Sequence, residues 1–186
     1  MLSYMKRENL IAGLLVAFLT FFIALFVSLG SEALVQAVDS VLLAIVLLLC
    51  IIFLGIFFDI IGTAATAAEL PPFNAKAAKR IFGAKQAVRI TLNADKMANI
   101  CNDVIGDIAG TLSGAIGAGI VLSLIAKLYT LDVVLAGAVM TSFIASLTVG
   151  GKAIGKSIAI NNANNIIFKV AIIIGWFEKI TGKELF

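Results

Sequence analysis

Histidine is absent from this chain of 186 residues. That excludes His-based acid–base catalysis and every His-ligated metal site, and with them most hydrolase and zinc chemistry. Charge is scarce too: Asp, Glu, Lys and Arg together make up 13% of the residues, too few for an ordinary soluble domain. The two cysteines, Cys50 and Cys101, form no C-x-x-C pair, and Cys50 reads as a small apolar residue facing lipid or core. Proline occurs only at Pro71 and Pro72, where a helix is expected to stop. No nucleophile–base pair is visible, so an enzyme is not expected, nor is a nucleic-acid partner.

What is present is apolar. Sixty-one per cent of residues are hydrophobic and the mean hydropathy is +1.11, which places the chain among integral membrane proteins. The expected fold is all-α and polytopic: a single membrane domain over 1–186, with four transmembrane helices plus juxtamembrane amphipathic helices. The first span is Leu10–Leu29, uncharged and preceded by Lys6 and Arg7. A signal peptide would share that pattern, but the apolar run is longer than a usual signal core. The second span runs from Val41 to Ala68, long enough to tilt or to emerge into the headgroups.

Phe73–Ile100 is the one hydrophilic stretch of any length. It carries Lys76, Lys79, Arg80, Lys85, Arg89 and Lys96 against the single acid Asp95. Ala77, Ile81, Ala84, Val88 and Leu92 recur at spacings of three and four, the pattern of one or two amphipathic helices on a membrane surface. The basic excess marks this loop as cytoplasmic, which puts the Glu32/Asp39 loop outside and both termini in the cytoplasm, in a multi-pass protein of the cell membrane. A third span is expected at about Val104–Ala126. There Gly106, Gly110 and Gly114 form a stripe that lets another helix approach closely. After the turn Lys127–Asp132, a fourth span covers Val133–Gly151, with Lys152 and Lys156 behind it and Gly150-Gly151 as a possible C-cap. The tail opens with Asn161, Asn162, Asn164 and Asn165, and its apolar patch Ile166–Trp176 is too short to cross. An interfacial helix anchored by Trp176 is expected there.

Four charges need a reason. Asp59 stands near the middle of the second span with no other charge in the run, at a cost of roughly 2.5–3.5 kcal/mol on insertion scales. Asp103 and Asp107, four residues apart, share a helix face at the start of the third span, where Asp103 is equally suited to capping the helix. Lys152 closes the fourth. A pair between Asp59 and Lys152 is a sufficient structural explanation of both. Thr63, one turn after Asp59, reads first as a threonine bonded to its own backbone.

At these residues the chain resembles the transmembrane domain of the CNNM/CorB/CorC magnesium transporters. Phe57-Phe58-Asp59-Ile60-Ile61-Gly62-Thr63-Ala64 occupies the place of the family's Phe-Phe-Ser-x-Ser-Glu-x-Ala stretch. Asn93-Ala94-Asp95-Lys96 is similar to the loop into the second core helix, followed by polar positions matched to Asn102–Asp107. Gly151-Lys152-Ala153-Ile154-Gly155-Lys156 stands where the family has Gly-Glu-x-x-Pro-Lys. The resemblance covers about Leu43–Ile174, a core of 41–176 with 10–29 as an extra span, and no CBS domains are expected. It implies a homodimer that binds dehydrated Mg²⁺ at mid-membrane. Of the family's ligands only Gly151 matches: Asp59 and Ile61 replace two serines and Lys152 replaces the glutamate. The ligand set implied here is Asp59, Asn102, Asp103, Asp107 and the Gly151 carbonyl, available to a hard cation once Lys152 swings away from Asp59. The expected function is transport of Mg²⁺ or another divalent cation. The alternative is a non-transporting subunit of similar fold that binds a membrane partner.

Overall fold

The computed structural model describes residues 40–127 and 132–184, together with helical residues between 13 and 29. Every described element is helical, in keeping with the expected all-α class. Within the first expected span the described residues form a shorter apolar helix, α1, Gly13–Phe26; the rest of Leu10–Leu29 and nearly all of the Glu32/Asp39 loop lie outside the description. Among the described residues three helices are long and apolar enough to cross a bilayer: Val41–Ala67, Ala94–Ala126 and Val133–Asn161.

Helix α2 (Val41–Ala67) is the spine. At about 1.5 Å per residue it is roughly 40 Å long, more than the hydrocarbon core needs. Two apolar clusters form along it. Ala44, Leu48 and Ile52 pack with Ile116, Ile120 and Ile144. At the other end Ile61, Ala64 and Ala65 pack with Phe73, Ile90, Met97, Cys101 and Ile167. Asp59 lies between them.

Pro71 and Pro72 open a helix rather than merely stopping one. Helix α2 ends at Ala67, and both prolines sit in the first turn of α3 (Leu70–Ala78), where a missing N–H costs nothing. The Glu69 N–H in front of them donates to Asn164 Oδ1 at 2.9 Å, tying this corner to the tail. Helix α3 closes in a Schellman turn: Ile81 N–H donates to Lys76 O at 3.1 Å and Arg80 N–H to Ala77 O at 2.9 Å, with Arg80 left-handed at φ 54°. Gly83, at φ 84°, turns the chain into α4 (Ala84–Leu92). The amphipathic face differs from the expected one for this reason. Ile81 falls in the turn and Leu92 is exposed, while α4 buries Ala84, Ala87 and Ile90.

Helix α5 (Ala94–Ala98) leads through a π-helical segment, Asn99–Gly106, into α6 (Asp107–Lys127). Asp103 therefore caps nothing; it lies inside the π segment. Asp132 accepts from Val134 N–H at 2.8 Å and from Leu135 N–H at 3.1 Å, capping α7 (Val133–Asn161). Helix α7 runs ten residues past the expected end at Gly151, so Gly150-Gly151 is not a C-cap and Lys152 is mid-helix. The tail helix α8 (Ala163–Thr181) buries Ala163, Ile167, Ala171 and Gly175.

Candidate functional site

Gly55, Asp59 and Gly62 follow one another at spacings of four and three, so they share the α2 face that meets the π segment and α6. The two glycines let the helices touch. A Cβ on Gly55 would stand 2.9 Å from Ala109 Cβ, and one on Gly62 would overlap the Asn102 amide. A neighbouring face of α2 presents Ile56 to Gly151 and Ile60 to Gly155 of α7. These contacts hold α7 close enough for Lys152 to turn inward.

Lys152 Nζ lies 3.4 Å from Asp59 Oδ1, an ion pair longer than the usual N–H···O range of about 2.7–3.2 Å. The Asp59 side chain is 7% exposed and that of Lys152 25%. The ammonium also lies 3.5 Å from the position a Gly106 Cβ would take, so any side chain at 106 would crowd it. Two acceptors are left over: Asp59 Oδ2 and Asn102 Oδ1 are buried and have no hydrogen-bond partner. In hydrocarbon such groups are costly. Asn102 sits in the π-helical segment, a helix type that occurs often at functional sites.

The structure brings together Asp59, Asn102, Gly106 and Lys152. It leaves Asp103, in the π segment, and Asp107, at the start of α6, exposed. Among the described residues no three Asp, Glu or Cys side chains form a group able to hold a metal ion. Gly151 is used in packing against Ile56, and Thr63 is half-buried, its carbonyl accepting from Thr66 Oγ1 at 2.9 Å. Of the expected stripe, Gly106 is buried, whereas a Cβ on Gly110 or Gly114 would meet nothing within 4 Å. The close intramolecular contacts are made elsewhere, at Gly55, Gly62, Gly117, Gly151 and Gly155.

Sequence reasoning missed the Gly62–Asn102 contact, although a glycine three residues after a buried aspartate is a sign of close approach. It also missed the clamp between α4 and α8. There Arg89 Nη2 donates to Glu178 Oε2 at 2.6 Å and to Oε1 at 2.8 Å, and Gln86 Nε2 donates to Oε2 at 2.9 Å. Comparison with protein-family models, curated proteins and solved structures finds no match to this chain.

Proposed function

We propose that this is a four-span membrane protein, its termini in the cytoplasm, that moves a cation through the polar site between α2, the π segment and α7. The observation that carries the reading is the pair of buried acceptors without a hydrogen-bond partner, Asp59 Oδ2 and Asn102 Oδ1, on helices long and apolar enough to span. Oxygens in that position lack a hydrogen-bond donor, and a cation is a partner that suits them. Lys152 acts as a tethered stand-in: its ammonium rests on Asp59 and has to leave before an ion takes its place.

Mg²⁺ or another divalent cation, the substrate class that the CNNM/CorC-like pattern implies, is the first to test. The local donor set is thin for it. One carboxylate and one amide oxygen fall well short of an octahedron, so water would have to complete the shell. Lys152→Glu removes the competing ammonium and adds a carboxylate. Titration calorimetry on that variant is expected to show a gain in Mg²⁺ affinity over the parent; no gain from a folded variant leaves the ion pair structural.

The second reading is the non-transporting subunit. It is favoured by the outward face of the π segment and α6, where exposed Asp103 and Asp107 continue into Gly110 and Gly114, whose Cβ positions meet nothing within 4 Å. Carboxylates on a spanning helix are tolerated where protein covers them. A second copy, as in a homodimer, or a partner membrane protein would do so.

A further inference from the structure

The outer face of the tail helix is apolar in a place that the bundle leaves open. Opposite its buried alanines, α8 exposes Ile173, Trp176, Phe177 and Ile180, the last 78% accessible. The turn between α3 and α4 extends the patch. Phe82 rests on Gly175, 3.3 Å from the position of its missing Cβ, and meets Trp176 edge-on with ring centroids 6.3 Å apart. Cations stand around this surface. Lys179 Nζ lies 5.8 Å from the Trp176 ring centroid, and the exposed Lys79 and Arg80 directly precede Ile81 and Phe82. The acids on the same side are matched already: Glu178 takes Arg89, and Glu184 takes Lys85 at 3.6 Å and Arg89 at 3.2 Å. Among the described residues Lys79, Arg80 and Lys179 join no salt bridge.

An acidic protein would answer the cations but not the aromatic–aliphatic patch beside them. Neutral lipid would answer the patch and leave the cations unmatched. A leaflet with anionic headgroups matches both, since a Trp-bearing apolar face sinks to the acyl boundary while Lys and Arg meet the phosphates. We propose that the outer face of α8 and the α3–α4 turn form a docking surface for anionic lipid of the adjoining leaflet. Trp176, Phe177 and Phe82 enter the acyl boundary, and Lys79, Arg80 and Lys179 take the headgroups. This surface is independent of the Asp59 site and stands whether or not that site carries an ion.

Trp176 is the only tryptophan in the chain, so its fluorescence reports this surface alone. The full chain is reconstituted in phosphatidylcholine vesicles containing increasing fractions of bromine-labelled phosphatidylglycerol or bromine-labelled phosphatidylcholine. Both lipids are expected to quench Trp176. The anionic one should do so at a roughly five-fold lower fraction, the worth of about one engaged cation, and high salt should remove that preference. Combined Lys79→Gln, Arg80→Gln and Lys179→Gln substitution should equalise the two lipids while quenching persists. If the variant fails to fold, the salt titration on the parent decides. Equal quenching by the two lipids in the parent overturns anionic recognition. No quenching by either shows the face turned to water or to a protein partner, and overturns the whole proposal.

Discussion

Lys152 of α7 reaches across to Asp59 of α2 and stops 3.4 Å from its Oδ1, leaving Oδ2 with no hydrogen-bond partner. The pair is half satisfied. Its net charge is zero, which the membrane tolerates, but one carboxylate oxygen remains without a donor in a place where water is scarce.

Breaking the pair from one side should cost much more than removing it. Asp59→Asn or Lys152→Met alone is expected to lower stability, and for Lys152→Met, which strands a buried carboxylate, by roughly 3–5 kcal/mol. The double substitution should lose considerably less. Unfolding in detergent, read as a double-mutant cycle, checks this; additive losses would mean that the two charges do not interact.

Two glycines separate internal packing from an outward face. Gly151→Leu forces a side chain into Ile56 and should destabilise the fold by about 1–3 kcal/mol. Gly110→Leu enters open space in the single chain, so its melting temperature as a monomer should match the parent. If two copies meet along this face, cross-linking between them should fall in the Gly110 variant.

Helix α8 is held by a buried charge. The side chains of Arg89 and Glu178 are 17% and 9% exposed, and Arg89 keeps a second partner in Glu184 at 3.2 Å, so Glu178→Gln weakens the charge-assisted bonds without stranding the guanidinium and should cost about 1.5–3 kcal/mol. The loss should appear as faster amide exchange in α4 and α8 with α2 unaffected. Uniform loss of protection would place the clamp in the global core instead.

Topology is open to labelling. The excess of Lys and Arg in 73–100 over the Glu32/Asp39 loop predicts that a cysteine at Lys85 reacts from the cytoplasmic side only and one at Gln36 from outside only. Cys50, which is exposed, has to be replaced first. The reverse pattern would invert the bundle.

Much of this was legible before the fold was known, because hydrocarbon imposes strict terms. An apolar run ending at Ala68, charged only at Asp59, became a helix ending at Ala67, and two charges without other partners, Asp59 and Lys152, found each other. What stayed hidden depended on packing. Gly150-Gly151 has the look of a helix end, yet α7 passes through it because Ile56 fills the notch at Gly151. The π segment at Asn99–Gly106 has no composition signal; it changes the phase of everything that follows. A shared face for Asp103 and Asp107 was readable from their spacing, but not that the face turns outward.

The most direct measurement is cation flux into liposomes carrying the parent chain, Asp59→Asn or Asn102→Ala, with Mg²⁺, other divalent ions and monovalent ions in turn. Flux of at least one cation through the parent, abolished by Asp59→Asn and reduced by Asn102→Ala in folded protein, is the predicted result. No flux of any cation through the folded parent, or flux indifferent to both substitutions, would contradict a transport site at Asp59.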